Sequence, residues 1–273
     1  MTSTQPVLKV DNIVKRCNFF RPITLVKGIS FQINAGEIVA FLGSNGAGKS
    51  TTFDMLSGLT FPTQGRIFRY DEETQDWSDI SRLPLYKRSQ LGICYLPQKP
   101  SIFSKLTTRE NLLGIMEIMN QSALQKGMRE FNPGLKTREE FCTALLQRFQ
   151  LYEHCDKEAH LLSGGEKRRL EIVRLFIRKP KLILMDEPYA AVDLPGIQLC
   201  TELFSDVRRD GVSILIVDHR VKEVLKIASR VIFLHQGEIH FSGTPAEFVK
   251  IPLVQRELLK EDTAELVRMF ERA

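Results

Sequence analysis

The chain has 273 residues, 43% of them hydrophobic and 26% charged, with a formal net charge of +5 from 38 basic and 33 acidic residues. This composition is that of a globular protein with a sizeable core. No apolar run is long enough to span a bilayer, no secretory signal is visible, and no basic block with interleaved aromatic residues indicates nucleic acid. We therefore expect a cytoplasmic protein that binds no nucleic acid and relies on other chains for any membrane span.

An apolar run and a glycine-rich loop form the first patterned region. Residues 29–33 alternate like a half-buried strand, and residues 38–42 predict a buried one. The loop that follows has the spacing G-x-x-x-x-G-K-[ST] and opens a helix from about Lys49 to about Gly58. Its members are Gly43, Ser44, Asn45, Gly46, Ala47, Gly48, Lys49, Ser50 and Thr51. Such a loop wraps phosphate oxygens, so we expect ATP here, with Lys49 bridging the β- and γ-phosphates and Ser50 ligating Mg²⁺.

The middle of the chain is predicted to be mainly helical. Residues 71–82 are acidic and are expected to form a surface loop, and residues 92–96 predict a strand. Thr107 and Thr137 each precede a glutamate by three residues, which is the spacing of a capping box at a helix start. The region 98–178 therefore separates two strand-rich parts.

Strand character returns in the last third of the chain, and one strand ends in two carboxylates. Apolar runs at 182–185, 213–217 and 231–234 alternate with helical patterns, which favours a largely parallel sheet. Asp186 and Glu187 follow the first of these runs. We expect Asp186 to hold the Mg²⁺ shell and Glu187 to polarise the attacking water as general base. The final stretch, about 252–273, predicts a charged amphipathic helix.

The motif that indicates a family lies between the loop and the carboxylates. Residues 162–166 read Leu-Ser-Gly-Gly-Glu and precede a helix, which resembles the signature of the ABC transporter ATP-binding family. The resemblance implies that Ser163, Gly164 and Gly165 face the γ-phosphate held by the other subunit of a homodimer. Asp193 resembles the aspartate that couples the two sites.

Further positions match that family one at a time. Gln98 resembles the glutamine that senses Mg²⁺ and the attacking water, and it is a catalytic and metal-site candidate. His219 follows a strand and resembles the histidine that contacts the γ-phosphate. Phe20, in preference to Phe19, occupies the place where the family stacks an aromatic ring on adenine.

The resemblance covers about residues 7–250 and implies a fold. That fold is α/β, with a RecA-like P-loop ATPase core, an antiparallel β subdomain and an inserted helical signature subdomain. The whole chain 1–273 then forms a single nucleotide-binding domain, with its core at about 7–97 and 179–250, its helical subdomain at about 98–178 and a helical tail at about 251–273. Two such chains pair head to tail, so that each nucleotide lies between a phosphate loop and the partner's signature.

Within this family, the sequence resembles the ATPases of lipopolysaccharide export at residues 83–85, 92–98, 101–103 and Leu106, and the likeness continues at 166–172, 218–219 and 243–245. This implies a subunit that powers lipopolysaccharide extraction from the inner membrane toward the outer membrane. It also implies peripheral attachment to the cytoplasmic face of the inner membrane through two transmembrane subunits resembling LptF and LptG. Phe103 is the expected anchor in the groove that receives them, and the alternative is that its ring packs inside the helical subdomain.

Three other functions are compatible with part of the pattern. An importer ATPase resembling the branched-chain amino-acid type shares most of the motifs. A soluble ABC protein of DNA repair or translation usually carries two cassettes, zinc modules or long coiled coils, which this sequence lacks. A nucleotide-binding regulator without turnover is disfavoured by the set Lys49, Glu187 and His219.

Overall fold

The structure is a computed structural model that describes residues 5–17, 23–190 and 192–271. Its strands are β1 (Pro6–Cys17), β2 (Ile23–Asn34), β3 (Ile38–Gly43), β4 (Gln64–Asp71), β5 (Asp76–Asp79), β6 (Ile93–Leu96), β7 (Leu182–Asp186), β8 (Ser213–Val217), β9 (Arg230–His235) and β10 (Glu238–Gly243). Its α-helices are α1 (Lys49–Ser57), α2 (Leu85–Gln90), α3 (Thr108–Ile118), α4 (Gln121–Phe131), α5 (Arg138–Arg148), α6 (Gly164–Phe176), α7 (Leu194–Arg209), α8 (Val221–Ile227), α9 (Pro245–Phe248), α10 (Pro252–Val254) and α11 (Thr263–Glu271). None of these described helices is both long and apolar enough to cross a membrane.

One compact unit contains the described residues of Met1–Tyr95, Lys181–Pro188 and Phe204–Ala273. It holds an antiparallel sheet in the order β2-β1-β4-β5 and a second sheet in the order β10-β9-β3-β8-β7-β6. In the second sheet β3 pairs in parallel with β8 and β9, and β7 pairs in parallel with β8. These strands read as continuous apolar runs because both of their faces are covered.

The core of this unit includes a chain of aromatic rings. Phe41 of β3 lies 5.8 Å from Phe31 and 6.1 Å from Phe53 between ring centroids. Phe53 belongs to α1, so the core joins the helix after the glycine-rich loop to strands of both sheets. The expected α/β core with an antiparallel sheet is confirmed.

The second compact unit contains Leu96–Pro180 and the described residues of Tyr189–Leu203. Helix α3 packs against α5 and α6, and the rings of Phe149 and Phe176 meet edge to face at 4.9 Å. The two predicted capping boxes are present. Thr107 exchanges the two expected hydrogen bonds with the start of α3, and Thr137 exchanges them with the start of α5. The inserted helical subdomain of the predicted fold is therefore confirmed.

The acidic stretch 71–82 lies mostly at the surface, as expected, but it is not an irregular loop. Its first part forms a hairpin in which β4 pairs with β5. Its turn is closed by Asp71, whose Oδ1 accepts a hydrogen bond from the amide of Glu73 at 3.0 Å. The ring of Trp77 meets that of Tyr70 edge to face at 5.4 Å, and this cross-strand pair stabilises the hairpin.

The C-terminal stretch 252–273 was expected to form one helix, and its described part does not. Helix α10 passes into a π-helical segment, Gln255–Leu259, and a 3₁₀ turn follows before α11 begins. The interruption falls at Lys260, whose φ of +44° lies outside the range of a right-handed α-helix. Leu259 and Leu266 are buried on either side of it, so the segment packs against the protein both before and after the break.

The Arg88 side chain fixes the end of α1. It is fully buried, and its guanidinium donates hydrogen bonds to backbone carbonyls of Met55 at 2.7 Å, Leu56 at 2.7 Å, Leu83 at 2.9 Å and Ser81 at 3.2 Å. The carbonyls in the last turn of a helix have no partner within the helix, and here a buried cation satisfies two of them. Burial lowers the pKa of the Arg88 guanidinium to about 10.

We expect Arg88→Met to lower the free energy of unfolding by roughly 3–5 kcal/mol, because it leaves buried carbonyls without donors. Urea titration of the full chain measures this. The control is Arg66→Met, whose side chain is 70% exposed and whose effect should stay within about 0.5 kcal/mol. A loss for Arg88→Met no larger than that of the control would contradict the capping role.

Candidate active site

The glycine-rich loop lies between β3 and α1 and depends on backbone conformations that glycine allows. Gly46 and Gly48 have φ values of +78° and +100°. A Cβ atom on Gly48 would lie 2.8 Å from the carbonyl oxygen of Leu25, and one on Gly43 would lie 2.2 Å from that of Leu234. A left-handed turn of this kind in front of a helix N-terminus makes a concave anion site lined by backbone N–H groups.

Lys49 reaches back over this loop. Its Nζ donates hydrogen bonds to the carbonyl oxygens of Gly43 at 2.7 Å and Ser44 at 2.9 Å. Burial lowers the pKa of Lys49 from its ordinary value, while attraction to Glu187 and Asp186 opposes the shift. The lysine therefore belongs to the same electrostatic site as both predicted carboxylates.

Two parallel strands end side by side and bring together the residues expected to act on water. Strand β7 ends at Asp186, whose Oδ2 accepts a hydrogen bond from the hydroxyl of Tyr95 at 3.2 Å. Glu187 follows with a φ of +45°, and its amide donates to the carbonyl of Val217 at the end of β8, at 2.7 Å. The Oε1 of Glu187 lies 3.0 Å from the Nε2 of His219. The predicted base and the predicted histidine thus contact each other.

A cavity of about 260 Å³ opens next to these groups. Its walls are formed by Leu42, Gly43, Ser44, Asn45, Lys49, Asp218, His219, Val221, Glu257, Leu258 and Lys260. The last three residues come from the C-terminal segment and were missed from the sequence. No motif marks them, because the tail pattern predicts only an amphipathic helix.

The side chains present fit a magnesium ion held together with a phosphate. Ser50 is the second residue of α1, beside the loop, and Asp186 ends β7. Among the described residues no group of three or more His, Cys, Asp or Glu side chains could hold a metal ion. Mg²⁺ needs no such group, since it is commonly held by one or two carboxylates with substrate phosphates and water. Ser50 and Asp186 are the residues of this unit that would hold it.

The signature residues lie in the second unit, at the start of α6. Ser163 caps the helix: its Oγ accepts from the amide of Glu166 at 3.3 Å, and Glu166 Oε2 accepts from the amide of Ser163 at 2.8 Å. Ser163 and Gly164 are exposed. An exposed helix N-terminus with small residues leaves backbone N–H groups accessible to an anion.

The signature packs directly against the segment that contains Asp193. A Cβ atom on Gly165 would lie 3.1 Å from the Cα of Gly196, and the Oδ1 of Asp193 accepts a hydrogen bond from the amide of Gly196 at 3.2 Å. The residues expected to act across a dimer are therefore brought together within one unit. Gln98 also belongs to this unit, and its role as a metal and water contact stays a prediction.

Phe103 is not a core residue, because it is 52% exposed. The guanidinium of Arg174 lies 5.0 Å from its ring centroid. The backbone around it is held by Asn111, which accepts a hydrogen bond from the amide of Phe103 at 2.9 Å and donates one to its carbonyl at 3.0 Å. The ring is thus presented outward from a fixed backbone. The proposed adenine contacts, Phe20 and Phe19, lie outside the described residues.

Comparisons with known proteins identify relatives of this arrangement. Residues 26–190 match the ABC transporter family. The lipopolysaccharide export system ATP-binding protein LptB of Acidithiobacillus ferridurans is 37% identical over 240 residues, which cover 88% of this chain and 92% of its own. LptB of Haemophilus influenzae is 37% identical over 255 residues, covering 93% and 98%. The ADP conformation of MJ1267, an ATP-binding cassette of an ABC transporter, superposes with a TM-score of 0.74 at 27% identity, covering 96% of this chain and 98% of that one.

Proposed function

The chain belongs to the ABC transporter family as an ATP-binding subunit that hydrolyses ATP, and on that premise we propose that it powers lipopolysaccharide extraction from the inner membrane toward the outer membrane. The observation that carries this proposal is the likeness to LptB proteins along nearly the full length of both chains. No feature of the described residues favours an amino-acid importer instead.

The proposed chemistry begins with the phosphates in the glycine-rich loop. The Lys49 ammonium gives up its hydrogen bonds to the two loop carbonyls and donates to β- and γ-phosphate oxygens instead. Its positive charge neutralises phosphate charge there. Glu187 accepts a proton from the attacking water, and His219, in contact with Glu187, orients that carboxylate and the γ-phosphate. Ser50 and Asp186 would hold Mg²⁺, which would neutralise further phosphate charge. The remaining loop members, Gly43 to Gly48 and Thr51, hold the phosphates through their backbone.

We place the second half of each site on a partner subunit. In the proposed homodimer, the partner's copies of Ser163, Gly164, Gly165 and Asp193 close on the γ-phosphate held by Lys49. The exposure of Ser163 supports this arrangement, because it makes the electropositive N-terminus of α6 accessible to a phosphate. Closure excludes water and strengthens every charge contact with the phosphate.

The proposed partners are two transmembrane subunits resembling LptF and LptG. They would hold the chain at the cytoplasmic face of the inner membrane. The exposed ring of Phe103 on a fixed backbone supports its assignment as the anchor for a short helix of these subunits, since exposed aromatic residues in grooves commonly dominate binding.

We expect Glu187→Gln to retain ATP binding and to slow hydrolysis by about 10²–10⁴-fold, because the general base is removed. ATP that is not hydrolysed should then hold two subunits together, so size-exclusion chromatography with Mg·ATP should show a dimer. Glu202→Gln, an exposed carboxylate on α7, is the matched control and should hydrolyse ATP normally. Turnover of Glu187→Gln close to that of the control would remove Glu187 from this role.

We expect Ser163→Arg to abolish hydrolysis while ATP still binds to the monomer, because the bulky side chain blocks closure of the dimer. The substitution also removes a helix cap, so the control must do the same. Thr137→Arg removes an equivalent capping box from α5 in the same unit and should leave hydrolysis intact. Loss of ATP binding by the Ser163→Arg monomer would contradict the composite site.

The transport proposal is tested by purifying the native complex through a tag on this chain and identifying the membrane subunits. We expect a pair resembling LptF and LptG, and importer subunits would overturn the proposal. In the same experiment Phe103→Ala should reduce recovery of those subunits at least about tenfold, while the unfolding free energy falls by no more than about 1 kcal/mol. Ile118→Ala, which changes another exposed side chain of the same unit, is the control and should not reduce recovery.

A further inference from the structure

The C-terminal segment supplies one wall of the phosphate cavity. Glu257, Leu258 and Lys260 line it opposite the loop residues and His219. We propose that Lys260 is a further nucleotide-contacting residue, whose ammonium binds the terminal phosphate of the nucleotide held by the same subunit. This rests on the proposed function, and it adds a residue that none of the motifs contains.

The segment is anchored on both sides of Lys260. Leu259 and Leu266 are buried at 3% and 1% exposure, and Lys222 of α8 pairs with Glu265. A second cavity shows the same segment running beside the residues that follow His219: it is lined by His219, Arg220, Val221, Lys222, Glu223, Leu258, Leu259, Asp262 and Leu266. Lys260 is therefore held near the loop by packing and is not part of a free chain end.

The backbone at Lys260 is strained in a way that this packing must support. Its φ is +44° and its ψ is −112°, at the end of the π-helical segment. Non-glycine residues in such conformations cost of order 1–3 kcal/mol each and concentrate at functional sites, as π-helical turns do. A Lys in this conformation projects from the tail at a position that a continuous helix would not provide.

Two lysines of the cavity wall can bind an anion in this cavity. Lys49 and Lys260 both line it, and none of the described carboxylates pairs with the Lys260 ammonium. Two carboxylates also line it: Glu257 lies 3.6 Å from the Nη2 of Arg256, which offsets part of its charge, and the Oδ1 of Asp218 accepts a hydrogen bond from the amide of Arg220 at 2.8 Å. A phosphate entering beside Lys49 would meet a second cation that has no other described partner.

The test compares ligands that differ in the terminal phosphate. Calorimetry on the full chain measures binding of the β,γ-imido analogue of ATP and of ADP to Lys260→Gln, with Lys260→Arg and Lys250→Gln alongside. Lys250 is an exposed lysine of the same C-terminal region that does not line the cavity. We expect Lys260→Gln to weaken binding of the ATP analogue about threefold to tenfold and that of ADP less than about twofold. Lys260→Arg should retain binding, and Lys250→Gln should resemble the unchanged protein.

Three results would overturn the proposal. Equal weakening of both nucleotides with a lowered melting temperature would mean that Lys260 only supports the fold. No difference from Lys250→Gln would mean that its ammonium does not reach the phosphate. Tighter binding or faster hydrolysis would mean that the segment obstructs the site. Failure of the proposed function is separate, since it would appear as recovery of importer subunits with the tagged chain, whatever the nucleotide affinities of these variants.

Discussion

The site depends on how closely the backbone of the glycine-rich loop approaches other backbone. At Gly43 and Gly48 a Cβ atom would fall within 2.8 Å of a carbonyl oxygen, so no side chain can be accommodated without moving a strand. The same closeness brings the loop carbonyls to the ammonium of Lys49 and the start of α1 to the end of β3. Burial of Arg88 against the far end of α1 then fixes that helix at both ends. In the proposed site, phosphate binding is thus a property of the backbone, with one lysine added.

The parallel register of the second sheet brings the proposed catalytic residues together. Strands β7 and β8 pair from Leu182 and Ser213 to Asp186 and Val217, so their carboxyl ends lie at one edge. Glu187 directly follows β7 and His219 lies two residues after the end of β8, so they come within hydrogen-bonding distance although 32 positions separate them in the sequence. In open α/β sheets the ligand site lies at this edge for the same reason.

The sequence was sufficient for the elements whose signals are local. The loop spacing, the apolar strands and the capping boxes at Thr107 and Thr137 predicted structure correctly, because each depends on a few adjacent residues. The hairpin of β4 and β5 was missed because the cross-strand contact of Tyr70 with Trp77 stabilises it. The acidic sequence between these two residues gives no local sign of that contact.

The helical break in the tail was missed for a related physical reason. Local pattern favours continuing the helix through Lys260, but Leu259 and Leu266 are both buried with the helix broken between them, so tertiary packing outweighs the local preference. Hydrophobic periodicity in the sequence does not predict tertiary packing of this kind, because it shows which residues are apolar and not which residues each of them contacts. The cavity wall formed by Glu257 and Lys260 follows from that break, so it could not be predicted either.

Glu187 and Lys260 share a feature that links stability to function. Both are non-glycine residues with left-handed φ values, +45° and +44°, and both lie at the site. Each conformation persists because neighbouring contacts hold it: the amide of Glu187 is bonded to Val217, and the tail is fixed by buried leucines around Lys260. If either tether were lost, the backbone would relax toward a favoured region, and the Glu187 carboxylate would leave His219 or the Lys260 side chain would leave the cavity. The contacts that keep these residues strained therefore also determine where their charges lie.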